Sequence, residues 1–450
     1  MTVSAPQNIS FHELSRLDAG ARAALLRRTE SDLTPFLDRV QPIVEAVRSE
    51  GDEAIVRFAR DIDRIDLPLD GLAARPEDFD RAFATLDREV IAAIEYGVEN
   101  IRRFHEEQKP ESMWLKEIRP GAFAGDRWLP IPSVACYVPR GKGAFPSVVM
   151  MTTVPAVVAG VPEICVVTPP GPGGEFDAAT LVAARIAGVS TVYRVGGAVA
   201  VAAVAYGTQS VRRCAKIVGP GSPWVVAAKR LLAGVLDTGI PAGPSESIIL
   251  ADPTADGRLA ALDLLIEAEH GPDSSAYLVT SSPAVAESAR TAIPGFWARM
   301  GAQRVEYSST VLCGPQGGIV LAPDMEAACA FVNDYAPEHL LIHGDEPFQW
   351  MGRIHNAGEI LLGKHTPLTL GNFVLGPNAV LPTSGWAKTF SPLSTLDYMK
   401  RTGIGYVTGA GYPELARNAR ILATYEGFEA HANAVSPIRD ELLASPRRGD

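Results

Sequence analysis

Cysteine, basic charge and long apolar runs are all scarce in this chain, and each scarcity removes a class of function. Only five cysteines occur in 450 residues (Cys136, Cys165, Cys214, Cys313, Cys329), none spaced C-x-x-C. That excludes a disulfide scaffold and a thiolate zinc finger, and it fits a reducing, cytoplasmic compartment. Lys and Arg number 41 against 52 Asp and Glu, a net charge of −11, so no overall attraction draws in a phosphate backbone and nucleic acid is not an expected partner. The N-terminal MTVSAPQNISFHELSRL lacks the basic start and apolar core of a secretory signal. The most apolar stretch, residues 148–161, is cut by Thr152, Thr153 and Pro155. It falls short of the ~20 residues that span a bilayer, so no membrane is expected either.

A complete G-x-G-x-x-G is missing too. Gly141/Gly143, Gly196/Gly197 and Gly219/Gly221 each sit between a strand-like and a helix-like run, where they serve either as anion sites at helix starts or as ordinary tight turns. Residues 358–364 approach a P-loop, but His365 stands where Ser or Thr should bind magnesium and EILL reads as a strand, so no P-loop is assigned.

What the chain does have is a 47% hydrophobic content at a length suited to two to four domains. The first 110 residues or so repeat apolar residues at helical spacing, and 76–108 read as one long helix with Ile91, Ile94, Val98 and Ile101 on a stripe. From Pro132 short β-rich runs (SVACYVP, EICVVTP, TVYRV, AKIVG) alternate with helical patterns at 177–187, 198–206 and 223–236. The alternation restarts after Gly243 with SIILAD, AYLVT, GIVLAP, HLLIH and GEILLG. Two successive sets predict an α/β protein with two doubly wound parallel sheets. From Lys388 the strand signal fades, and a helical tail too small to be a stable domain alone is expected to pack on another domain or subunit.

Four polar clusters stand out. Glu267 and His270, three apart at a helix end closed by Gly271-Pro272, share a face; this is a metal-ligand pattern or a solvated helix end. Glu338 and His339 precede an apolar strand. They suit general acid–base work if the backbone turns there, and otherwise are a polar strand entry. Glu426 and His431 lie five apart in the tail, on what is otherwise a plain polar helix face. Asn372, Asn378, Pro382 and Thr383 lie in a loop rich in Gly, Pro and Asn, which lines a pocket or is a surface connection.

The segments GPSES (243–247), EAEHGPDS (267–274), NDYAPEHLLI (333–342), GPNAVLPTSG (376–385) and YEGFEAHANAV (425–435) resemble the signature blocks of the histidinol dehydrogenase family, and VGGAVAVAAVAYGT (195–208) and GPGSPWVVAAKR (219–230) match in spacing. The resemblance covers nearly the whole chain in the family's order. It implies a domain-exchanged homodimer of two Rossmann-like domains. A helical segment at 1–30 precedes a discontinuous catalytic domain (31–137 and 245–387). A cofactor domain (138–244) and a helical tail (388–450) on the partner complete it. It implies zinc and NAD, and two hydride removals that take an alcohol through the aldehyde to the carboxylate. His339 then matches the general base and Glu338 the group that activates water. His270 and His431 match metal ligands, His431 from the partner. Ser245 and Glu426 match substrate positions, and Tyr137 a cofactor neighbour.

Departures from the family pattern shape the functional expectation. Glu267 replaces the usual Gln and Asn372 the usual Asp, both at zinc positions, which moves the ligand carboxylate across the site while keeping one anionic and two imidazole donors. At substrate positions Leu368 replaces an acid and Ala379 a histidine, removing partners for a cationic substrate. On the cofactor side Val199 and Ser222 replace Gln and Asn, and Arg140 and Lys142 add cations that admit NADP beside NAD. The expected function is zinc-dependent, NAD-linked oxidation of a small neutral or anionic primary alcohol. Relatives of this type exist, sulfopropanediol dehydrogenase among them. Authentic L-histidinol dehydrogenase and an idle binding protein on the same fold are the alternatives.

Overall fold

The computed structural model describes residues 8–28, 33–140 and 143–444. Its strands are β1 (Phe11–Glu13), β2 (Met113–Arg119), β3 (Ala122–Pro130), β4 (Ser133–Tyr137), β5 (Glu163–Thr168), β6 (Val192–Arg194), β7 (Lys216–Val218), β8 (Glu246–Ala251), β9 (Ser275–Thr280), β10 (Gly317–Leu321), β11 (His339–His343), β12 (Glu359–Leu362) and β13 (Met399–Val407). The chain divides into two compact units, residues 1–109 with 131–398, and residues 110–130 with 399–450.

The larger unit holds two parallel sheets. One has the order β1-β10-β9-β8-β11-β12 and the other β6-β5-β4-β7. Both are doubly wound. In the first, the chain leaves β8 through β9 and β10, then returns to β11 on the other side of β8. In the second it leaves β4 through β5 and β6, then returns to β7. Strands covered on both faces need continuous apolar runs, and β4, β8, β9 and β11 are buried at every residue. The apolar stretch at 148–161 forms the helix Pro146–Ala159, buried around most of its surface. Among the described residues no helix is long and apolar enough to cross a membrane.

Several expectations change. The helix expected over 76–108 is two, Pro76–Thr85 and Arg88–Glu107; Asp87 starts the second by accepting from the Glu89 amide, a cap contributing about 1 kcal/mol. The N-terminal segment also contributes a strand, since β1 extends the six-stranded sheet beside β10. β4, expected with the catalytic domain up to residue 137, pairs with β5 and β7 in the four-stranded sheet. The early helices follow it: Val40, Val44 and Val47 of Thr34–Glu50 and Ala54 and Ile55 of Asp52–Phe58 share an apolar core with the helices Gly197–Tyr206 and Pro223–Leu232.

The smaller unit corrects the helical tail. Its later segment, from residue 399, opens with β13, nine residues antiparallel to β3, which pairs in turn with β2. Backbone pairing, not a buried apolar face, holds this ribbon together: every residue of β2 is exposed. The helices Tyr412–Tyr425, Glu429–Ala434 and Pro437–Ala444 follow.

Candidate active site

Opposite strand ends of the two sheets supply one cavity of about 510 Å³. The four-stranded sheet presents carboxyl ends at its switch point, Pro139 and Arg140 beyond β4 and Pro220–Ser222 beyond β7, where doubly wound sheets place their ligands. The six-stranded sheet presents amino ends: Ser245 before β8, Ser274 before β9, and Glu338 and His339 at β11. Glu267, His270, Asp273, Asn372, Phe373 and Ala379–Leu381 also line it.

The acid–imidazole pair rests on a backbone turn. The helix Met325–Tyr335 ends with Ala336 at φ 53°, a left-handed cap that is costly for a residue with a Cβ. The turn thus falls one residue before Pro337, and it brings two adjacent side chains into one cavity. Glu338 Oε1 lies 3.9 Å from His339 Nε2, and the Glu246 amide donates to Glu338 Oε2 at 2.8 Å. Burial, the largest influence, lifts the Glu338 carboxyl to about 8. Burial alone would push the His339 imidazole down, but the charges of Glu267, Glu338 and Glu359 outweigh it and carry it to about 10.

Glu359 is a site residue that the sequence reading passes over. It opens β12 directly across from His339 in the parallel register. His339 Nδ1 and Glu359 Oε2 are 2.9 Å apart, and both side chains are only 4% exposed. A carboxylate at Nδ1 fixes the proton there and turns Nε2, as acceptor, toward Glu338. The available signal was register: HLLI aligned in parallel with EILL sets the two residues opposite each other.

Glu267 and His270 meet as the shared-face reading requires, with Glu267 Oε2 3.0 Å from His270 Nδ1. Asn372 Nδ2 donates to Glu267 Oε1 at 2.7 Å. The Glu267 charge raises partly exposed His270 to about 9. Glu267 itself is held well below the usual carboxylate range, because His270, His339 and the Asn372 donor overcome its burial. Among the described residues no group of three or more His, Cys, Asp or Glu is placed to hold a metal. The donor set here includes an amide instead. With Nδ2 committed to Glu267, Asn372 Oδ1 is left buried without a partner. A carboxylate, an imidazole and an unsatisfied amide oxygen suit a zinc-type cation that takes a further ligand from elsewhere.

The other candidates are distributed more widely. Tyr137 ends β4, and its hydroxyl accepts from the Gly197 amide at 3.2 Å. Val199 and Ser222 line a second cavity of about 410 Å³ beside the glycine turn 196–197, and Ser222 borders both cavities. Two ten-residue helices start there, at Gly197 and Pro223, and their N-terminal dipole ends suit a dinucleotide's phosphates. Ser245 and Ala379 are on the catalytic wall. Leu368 is not: fully buried, it packs with Leu341 and Leu361 in the core of the six-stranded sheet. Asn378 turns away to the Met151 carbonyl and His105, while Thr383 accepts from the Gly243 amide. Glu426 and His431 are exposed residues of the smaller unit, His431 beside Phe428. Gly141 and Lys142 lie outside the described residues.

Two doubly wound sheets around a buried acid–imidazole pair, with helix-start amides beside it, define an α/β enzyme that handles protons next to a nucleotide-sized cavity. The comparisons narrow the class. The histidinol dehydrogenase family model matches residues 26–439. Histidinol dehydrogenase homolog 2 of Mesorhizobium japonicum is 63% identical over 437 residues, covering 97% of this chain and 99% of that protein. Histidinol dehydrogenase of Synechocystis sp. is 44% identical over 431 residues, covering 96% and 99%. The crystal structure of histidinol dehydrogenase from Elizabethkingia anophelis superposes with a TM-score of 0.92 at 28% identity, over 98% of this chain and all of that one. The chain belongs to the histidinol dehydrogenase family, a family of oxidoreductases.

Proposed function

We propose that the protein is a zinc-dependent, NAD-linked dehydrogenase that oxidises a small neutral or anionic primary alcohol through the aldehyde to the carboxylic acid, working as a cytoplasmic homodimer. Glu267, His270 and Asn372 would hold the zinc, with His431 supplied by a second copy. Tyr137, Val199 and Ser222 would border the cofactor, NADP being the alternative to NAD. When bound, zinc would supply Lewis acidity and the nicotinamide a hydride acceptor.

The chain's own groups handle the protons. His339, its tautomer set by Glu359, takes the alcohol proton at Nε2. A cation beside Glu267 offsets one of the charges that raise this imidazole, which favours its neutral, basic form. Glu338, with a carboxyl matched to neutral pH, takes a proton from water attacking the aldehyde. Ser245 and, across the dimer, Glu426 contact the substrate.

The observation that carries the substrate reading is the composition of the wall. Ala379 offers no imidazole and Arg140 adds a cation, while Glu267 and Glu338 are already engaged and Asp273 is the one further carboxylate among the described lining residues. A cationic amino-imidazole alcohol finds little to pair with there, and an anionic alcohol finds Arg140. The relatives fit this reading, since the 63% match is named a homolog and the chain named histidinol dehydrogenase stands at 44%. The test is NADH formation from glycerol, hydroxypropanoate, hydroxyethanesulfonate and L-histidinol. Turnover of neutral or anionic alcohols with poor turnover of L-histidinol supports it. L-histidinol oxidation at an ordinary enzyme rate of ~10 s⁻¹ makes the protein an authentic histidinol dehydrogenase, and no turnover with any of them points to an idle binding protein. In Glu338→Gln the aldehyde step should fall further than the alcohol step; equal losses contradict the division of roles.

A further inference from the structure

Behind the acid–base pair, on the side away from the cavity, a single guanidinium joins three segments of chain. Arg28 Nε donates to Glu246 Oε1 at 2.7 Å, Nη1 to the Leu26 carbonyl at 2.7 Å and Nη2 to the Tyr335 carbonyl at 2.5 Å. Its Cζ lies over the Tyr335 ring, 3.4 Å from the ring centre. The arginine and glutamate side chains are 10% and 5% exposed. An exposed ion pair between Arg22 and Asp334, 2.6 Å long, ties the same N-terminal segment to the same turn.

The partners of Arg28 are the two supports of Glu338. Tyr335 is the last residue of its helix, and its carbonyl is one of those the helix leaves without an internal partner. Arg28 satisfies it directly ahead of the left-handed Ala336 that turns Glu338 and His339 into the cavity. Glu246 supplies the amide that holds Glu338 Oε2. The Glu246 carboxylate is fixed by Arg28 and the Ser384 amide at Oε1, with Oε2 buried and unpartnered. Without the guanidinium that carboxylate must take a proton or open to water, and either moves the β8 entry from which the amide projects.

We propose that Arg28 is a positioning residue that sets the reach of Glu338 through Glu246 and the Tyr335 carbonyl, so that the N-terminal segment is part of the active-site scaffold. The proposal rests on the reading of Glu338 as the group that activates water. A lysine keeps the charge and three donors, but they radiate from one nitrogen and cannot span the three acceptors that the planar guanidinium fork reaches, so Arg28→Lys should lie between wild type and Arg28→Gln.

The experiment compares full-length wild type, Arg28→Lys, Arg28→Gln and Glu338→Gln. Steady-state oxidation of the fastest alcohol in the panel above, and of its aldehyde, is measured for each, with hydrogen exchange of peptides covering 243–250 and 333–341. In Arg28→Gln the aldehyde kcat should fall by about 10- to 100-fold, as misplacement of a reacting group by an ångström does. KM should be nearly unchanged, the alcohol step much less affected, and exchange faster in those two peptides. Equal losses in both steps, or a lower melting temperature with the two steps and the exchange unchanged, would overturn the proposal. If Glu338→Gln lowers both steps alike, it is the role of Glu338 that fails; Arg28 is then judged by exchange, and unchanged exchange overturns it.

Discussion

Replacing Glu359 with Gln removes one charge and almost no volume, from a position that touches His339 and lies outside the cavity wall. Both side chains are about as buried as side chains become, so the 2.9 Å contact is not weakened by solvent. Where a carboxylate alone sets the tautomer of a catalytic imidazole, its replacement by the amide costs up to about 10⁴-fold in kcat. Here Glu338 and Glu267 still face the imidazole, so a smaller loss of roughly 100-fold in kcat is expected. A second signature goes the other way. His339 acts as a base only when neutral, and Glu359 is one of the carboxylates that raise its affinity for a proton. Removing that charge lowers the pKa, so the acidic limb of the pH–rate profile must move to lower pH while the plateau falls. Initial rates of NADH formation across pH, for wild type and Glu359→Gln, measure both. An unchanged plateau, or an acidic limb displaced to higher pH, would refute the assignment of Glu359 as the group that orients the base.

Arg140→Gln should lower kcat/KM for anionic alcohols by about 10- to 100-fold, the worth of a hydrogen bond to a charged group, and leave neutral alcohols nearly unaffected; equal effects on both would remove Arg140 from substrate recognition. Chelator-treated protein should lose thermal stability as pH rises. His270 is raised from 6.5 to about 9 in the folded chain, so its contribution is fully present below about pH 6.5 and is lost as pH passes 9. Glu338, raised from 4.5 to about 8, loses its contribution in the same direction, from pH 4.5 upward through 8. In Glu267→Gln the part of the slope between pH 6.5 and 9 should shrink, and melting curves at stepped pH that show no such change would contradict the Glu267–His270 pairing.

Legibility in the sequence followed burial. SIILAD, AYLVT, HLLIH and GEILLG are continuous apolar runs because their strands are covered on both faces, and each appears as a strand. MWLKEIR and MKRTGIGYV carry no such run, and their burial patterns are almost wholly exposed. They pair through β3 across some 280 positions of sequence, which no local pattern reveals. In the site, Glu267–His270 was legible because helical spacing puts three-apart residues on one face. Glu359 was hidden as the first letter of an apolar strand, and Arg28 because Glu246 and Tyr335, the partners that tie it to the site, are more than 200 residues away in the chain. The position of Leu368 was misleading for a related reason: it opens the short helix that carries Asn372, yet it is buried in the core below the cavity.

The claim on which the rest depends is that Glu267, His270 and Asn372 make up most of a zinc site serving the Glu338–His339 pair. Metal analysis of the purified full-length protein, with NADH formation followed in the same sample before and after chelation, tests it most directly. About one zinc ion per chain is expected, with activity lost on chelation and regained when zinc is returned. A fully active protein with no bound metal would contradict it.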